Sequence, residues 1–302
     1  MNDDRAGTGR AATVPLGEFQ IARVSDLDRL EFPGHHVFPD FAAEVVEEQA
    51  HWLAPTYVDP ASRKLLLAFQ GFLIRTKRHT ILVDSCIGND KERPNRPFWH
   101  RRTDGPFLEN LARLSVRPEQ VDFVLCTHLH ADHVGWNTRL RNGRWVPTFP
   151  KARYVFARRE YETWERAYRE DPAEPHTYGS FADSVLPVVE AGRAVLVEQD
   201  HAIEDGVWLE PAPGHSPGNV VVNIASGAAR ALCSGDVMHH PVQCARPDWS
   251  SRFCEDPAQS RTTRTALLER LAETDVRLFA AHFVAPEGGR IVRDGNRFRF
   301  RP

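Results

Sequence analysis

The chain of 302 residues carries 38 Lys and Arg against 41 Asp and Glu, a formal net charge of −3. That balance supplies no basic field to recruit a nucleic acid. At 41% hydrophobic and 26% charged residues it reads as a soluble globular protein, and apolar runs such as "KLLLAF" fall far short of the roughly 20 residues a membrane span requires.

Residues 1–18 read as a loose tail: "MNDDRAGTGRAATVP" carries two early aspartates and lacks the apolar stretch of a signal peptide. The segment "PGHHVFPDFAAEVV" (33–46) is expected either to cover a site or to pack at an interface. Strands are predicted at "RHTILVDS" (78–85), "VDFVLCT" (121–127), "ARYVFA" (152–157), "GVWLEPA" (206–212), "NVVVNI" (219–224), "ARALCSGD" (229–236) and "VRLFAAH" (276–282). Helices are predicted at "PFLENLARL" (106–114), "ARREYETWERAY" (157–168) and "TTRTALLERLAE" (262–273), where Leu267 and Leu271 share a face. Strands interleaved with helices indicate an α/β protein. Five cysteines without a C-x-x-C pair suit a reducing compartment, so they are expected to be buried thiols in a cytoplasmic protein.

Five polar motifs each follow directly on an apolar run: Asp84, the cluster beginning at His128, His215, Asp236 and His282. Loops leaving one edge of a sheet converge in space, so residues 19–302 are read as a single domain. The densest motif is "CTHLHADHVGWN" (126–137), with His128, His130, Asp132 and His133 inside six positions. Neutral imidazole and carboxylate are both metal ligands, and a zinc-type ion takes three or four of them. Four residues cannot fill two ions, so the distant strand ends must contribute. His128, His130 and His215 would hold one ion. Asp132, His133 and His282 would hold the other, with Asp236 bridging. His239 and His240, beside Asp236, are expected to be ordinary packing histidines.

These strings, "THLHADHVGW", "PGHSPGN", "SGD" and "AAH" preceded by "LVDS", resemble the five motifs of the metallo-β-lactamase superfamily. The resemblance implies a four-layer αββα sandwich with metals at one edge. It also implies that Asp84 orients the ligand loops without touching the ions. Retention of H-x-H disfavours a redox di-iron site, and Asp236 stands where true β-lactamases lack a bridging carboxylate. The first motif reads "DSC" rather than the commoner "DTG". The last seventy residues resemble the methyl parathion hydrolase branch more than the acyl-homoserine lactonases. That resemblance points to neutral, apolar ester-like substrates, and family likeness also suggests a homodimer.

The expected function is a hydrolase with two divalent cations, Zn²⁺ foremost. A shared hydroxide would attack a lactone, aryl ester or phosphotriester. Asp132 and Asp236 are the expected catalytic carboxylates, Asp132 by exchanging a proton. Phe98, Trp99, Phe107 and Trp136, which flank the ligand motifs, are expected to bind the apolar part of the substrate. Thioester hydrolysis of the glyoxalase II type is the alternative, and nucleic-acid processing a weaker one given the net charge.

Overall fold

The computed structural model describes residues 13–172, 176–284 and 288–302. The chain enters through β1 (Thr13–Leu16), β2 (Phe19–Phe32), β3 (Leu65–Arg75), β4 (Thr80–Val83) and β5 (Phe123–Leu125). A small hairpin follows, β6 (Thr138–Arg141) and β7 (Arg144–Pro147), and then β8 (Arg153–Ala157) and β9 (Ala194–Val197). The first large sheet has the order β1-β2-β3-β4-β5-β8-β9, antiparallel as far as β4 and parallel beyond it.

A second sheet is built from β10 (Ala202–Glu204), β11 (Val207–Pro211), β12 (Val220–Ser226), β13 (Ala229–Cys233) and β14 (Arg277–Phe279), in that order. Only β13 and β14 run parallel there. A terminal hairpin, β15 (Arg290–Asp294) and β16 (Arg297–Arg301), closes the described chain.

Alternation along the strands makes the layers. Ile81 and Val83 of β4, with Phe72 and Ile74 of β3, face Val220, Val222 and Ile224 of β12 and Phe279 of β14 in one core between the sheets. Their neighbours Leu73 and Leu82 point the other way and meet Phe107 and Leu111 of the helix Phe107–Arg113 and Tyr161 and Trp164 of the helix Arg158–Glu170. On the far side, Val221 and Leu232 pack against Leu267, Leu268 and Leu271 of the helix Pro257–Leu271. A period of two in each strand thus supplies two cores, and helices cover both outer faces. The αββα sandwich is present as expected. Among the described residues no helix is long and apolar enough to cross a membrane.

All seven predicted strands and all three helices form. The long β2–β3 pair was not predicted. The tail expectation is corrected in part. Residues 1–12 lie outside the described residues, but Thr13–Leu16 pair with β2, because Val14 and Leu16 bury against the inter-sheet core. The segment at 33–46 sends Val37, Phe38, Val45 and Val46 into the outer core of the second sheet, and His36 and Val37 also line a cavity at its edge.

Candidate metal centre

The parallel strands β4 and β5 of one sheet and β13 and β14 of the other end at the same edge of the sandwich, where Asp84, His128, Asp236 and His282 follow them. The β11–β12 turn adds His215. Asp84 and Cys86 both take positive φ, at 59° and 52°, which turns the chain sharply off β4. The short helix Ala131–Val134 is pressed onto that turn, and a Cβ at Gly135 would lie 1.8 Å from the carbonyl oxygen of Ile87. Only glycine allows that approach.

Within this edge the side chains form two groups. The Nε2 of His215 lies 3.1 Å from Nε2 of His128 and 2.9 Å from Nδ1 of His130. Burial pushes the pKa values of His128 and His215 well below the ordinary imidazole value and that of His130 down to about 4. Three neutral rings therefore direct nitrogens at one point, and protons shared pairwise cannot satisfy all three. A cation can.

The second group joins His133, His282 and Asp132: Nε2 of His282 lies 3.6 Å from Oδ2 of Asp132, and Nε2 of His133 lies 4.0 Å from the same oxygen. Burial would lower both histidines, but the Asp236, Asp84 and Asp132 carboxylates outweigh it at His133 and raise its pKa well above normal. Asp236, aided by Asp132, raises His282 in the same way. The field at this point favours positive charge.

Asp236 stands between the groups. Its Oδ2 lies 3.3 Å from His215 and 3.9 Å from His128, while its Oδ1 lies 3.2 Å from His133 and 3.0 Å from His282. Although burial opposes ionisation, the surrounding histidines hold this carboxyl well below the usual range. Asp236 Oδ1 and His133 Nε2 face each other at 3.2 Å as an ion pair, yet both are buried and neither makes a well-directed hydrogen bond. Such orphaned atoms are costly unless an unseen partner satisfies them, and a divalent ion among these donors does so.

The outer nitrogens are held from behind. Asp84 Oδ2 faces Nδ1 of His133 at 2.9 Å, and the same carboxylate accepts from the backbone N and the hydroxyl of Thr127 at 2.8 and 2.9 Å. The carbonyl of Ala68 faces Nδ1 of His282 at 2.9 Å. These contacts aim each Nε2 inward.

The centre opens into a cavity of about 560 Å³. Phe98 and Trp99 line it, together with Phe69, Phe253, Arg96 and Tyr178. Phe107 and Trp136 do not. They are stacked on each other in the outer core of the first sheet, ring centroids 6.1 Å apart, and Trp136 donates its Nε1 to Asp26. The helix Phe107–Arg113 and the turn after His133 pack against each other on that side, which draws both rings away from the cavity. Their expected role in substrate binding is therefore corrected.

His239 was misjudged as a packing residue. Its Nε2 lies 3.2 Å from Asp236 Oδ2, its Nδ1 is buried without a partner, and it lines the cavity. The signal for it in the sequence is its place three residues after Asp236. His240 behaves as expected, its Nε2 held at 2.8 Å by the carbonyl of Tyr57. All five cysteines are free and buried; Cys254 also touches Nδ1 of His215 at 3.7 Å. Glu160, absent from the expected set, lies buried behind the ligand loops.

A family model, the metallo-beta-lactamase superfamily, matches residues 71–282. An N-acyl homoserine lactonase of Bacillus cereus is 26% identical over 158 residues, which are 49% of this chain and 54% of that protein. The chain thus spans about half the length of the curated relatives it matches. Among solved structures, AidC, a dizinc quorum-quenching lactonase in complex with a product, superposes with a TM-score of 0.78 at 20% identity over 97% of both chains. AbOPH, a hydrolase of the β-lactamase superfamily, gives 0.80 at 22% identity over 98% of both. The five motifs, the sandwich that gathers them at one edge and the family match across residues 71–282 agree: this chain belongs to the metallo-β-lactamase superfamily.

Proposed function

We propose that the protein is a two-metal hydrolase that opens small lactones and cleaves related ester-like bonds. The single observation that carries this reading is Asp236, whose carboxylate lies between two groups of ligand atoms within one buried edge, 3.3 Å from His215 and 3.0 Å from His282. His128, His130 and His215 would hold one divalent cation and Asp132, His133 and His282 the other, Zn²⁺ in both positions. The dizinc lactonase AidC supports that choice of metal and of substrate class. Phosphotriester and aryl ester cleavage are finer proposals within the same chemistry.

When bound by these residues, two divalent cations would supply an acidified water near neutral pH and Lewis-acid polarisation of the oxygen under attack. The rest falls to the chain. Asp236 fixes the separation of the two positions. Asp132, whose carboxylate lines the cavity, accepts the proton of the attacking water and returns it to the leaving oxygen. Asp84 and the Ala68 carbonyl keep His133 and His282 aimed. Phe69, Trp99 and Phe253 seat the apolar portion of a small neutral substrate and exclude bulk water.

The test is a panel of lactones, aryl esters, phosphotriesters and a glutathione thioester, run on zinc-, manganese- and cobalt-loaded protein with metal content measured alongside. About two metals per chain, with lactone turnover abolished by chelation, is the expected result. Asp236→Ala should lose metal and rate together, because unbridged cations repel at close range. Full activity with one metal per chain would overturn the shared-carboxylate reading, and preferred turnover of the thioester would move the substrate class.

A further inference from the structure

Glu160 sits in the first turn of the helix Arg158–Glu170, 1% exposed, and no part of the proposed chemistry uses it. A lone buried carboxylate is costly, so four donors turned onto it require an explanation. Its Oε1 accepts from the backbone N of Leu129 at 3.0 Å and from Nε1 of Trp164 at 2.7 Å. Its Oε2 accepts from the hydroxyl of Ser216 and the backbone N of Gly218, both at 2.8 Å.

Each donor adjoins the same trio of histidines. Leu129 lies between His128 and His130, and the indole of Trp164 packs on the ring of His130 with centroids 5.7 Å apart. Ser216 follows His215, and Gly218 closes the same turn. The approach is tight: a Cβ at Gly218 would come 2.3 Å from the backbone N of Glu160. Among the described residues, no hydrogen bond joins Glu160 to Asp132, His133 or His282 themselves.

We propose that Glu160 is a positioning residue that clamps the His128–His130 loop to the His215 turn and thereby sets the affinity of one cation position and not the other. This rests on the two-metal reading above. The two loops come from different sheets, one after β5 and the other between β11 and β12; a backbone bond from Val220 N to Thr127 O at 2.9 Å joins their roots but does not fix the spacing of the turns that carry the histidines. One carboxylate with both oxygens doubly engaged does, and it carries more weight than a neutral amide because each bond is charge-assisted. Contacts behind metal ligands typically govern metal affinity by about 10–100-fold.

The substitution Glu160→Gln keeps the shape but presents an NH₂ group to two donors. Titration of the metal-free protein with Zn²⁺ against a competing chelator reads both binding constants. The expected result is one constant weakened about tenfold or more and the other within about twofold of the wild type. Trp164→Phe and Ser216→Ala, each removing a single donor, should weaken the same constant less, and they carry the test if Glu160→Gln does not fold. Unchanged constants, or an equal loss at both positions together with a lower urea midpoint, would reduce Glu160 to a prop for the fold. A metal-independent measurement separates this proposal from the reading beneath it. In the histidine ring ¹H–¹⁵N spectrum without metal, signals of His130 and His215 should move in Glu160→Gln while those of His282 stay. If wild-type protein binds no metal yet these signals move, the two-metal reading fails and the clamp stands. If none move, the clamp fails.

Discussion

Trp99 follows the Asp84 motif by fifteen residues and Trp136 follows His133 by three, and both are almost fully buried. Their surroundings differ. Trp99 meets Phe69 edge-on at 5.5 Å and Tyr178 at 6.3 Å, with one side open to the cavity beside Asp132. Trp136 lies flat on Phe107 with the helix Phe107–Arg113 behind it, and its Nε1 joins the backbone N of Ile87 and of Gly88 on the buried carboxylate of Asp26. Proximity in sequence to a ligand therefore does not place an aromatic ring at the substrate. The direction in which the flanking segment leaves the sheet edge decides it: residues 91–102 arch over the edge, whereas the chain after His133 folds back onto the outer core.

The largest test of this contrast is Trp136→Ala. It removes a packed ring and a donor from buried Asp26, and should cost about 3–5 kcal/mol of stability, read from the urea midpoint. The folded fraction should keep the wild-type dependence of KM on substrate size. A selective rise in KM for large substrates would put Trp136 back in the pocket.

The root of the arching loop offers the next test. Lys91 is buried with its Nζ 2.7 Å from Thr138 Oγ1 and 3.4 Å from Asp183 Oδ1, over the ring of Trp145. Burial lowers its pKa to about 7 despite Asp183. In the unfolded chain the amine returns to its ordinary value of 10.5. Between those limits the unfolded state binds the extra proton, so the contribution of Lys91 to stability rises with pH from about 7 and levels off near 10. Its total is on the order of a few kcal/mol. Urea midpoints measured across that range should climb in the wild type relative to Lys91→Met. Parallel curves would show that the amine titrates normally.

The smallest effects concern the wall itself. Trp99→Ala should raise KM for long-chain or large aryl substrates by an amount worth about 1–3 kcal/mol of lost apolar contact, with kcat nearly unchanged. Phe98, 59% exposed, should matter little: Phe98→Ala is expected to change stability by less than about 0.5 kcal/mol. Steady-state constants for short and long lactones separate the two. Equal responses would mean that the cavity wall does not grade its substrates by size.

The proposed ligands were legible because each belongs to a polar motif that follows an apolar strand run, and the H-x-H-x-D-H spacing restricts what its side chains can reach. The strands and helices that carry them were legible through their periods. The β2 strand was not, because "FQIARVSDLDRLEF" mixes charge into its alternation and its pairing with β3 shifts register twice. The N-terminal strand was missed because four residues beside a polar tail carry too little pattern.

What lay beyond one-dimensional reading was the company each side chain keeps. His239 and His240 are adjacent in sequence; one faces Asp236 and the cavity, the other turns to the carbonyl of Tyr57. Phe98 and Phe107 belong to the same stretch, yet one is exposed and the other lies in the core. Glu160 is one acidic residue in a charged helix until the His215 turn is brought 2.8 Å from it by a strand of the other sheet. By itself the sequence determined the identity and order of the candidate metal ligands, because coordination chemistry restricts them to a few residue types at strand ends. Only the tertiary structure decided the cavity wall and the residues that hold the ligands in place, since those depend on contacts between segments far apart in the chain and on which face of each loop is left open.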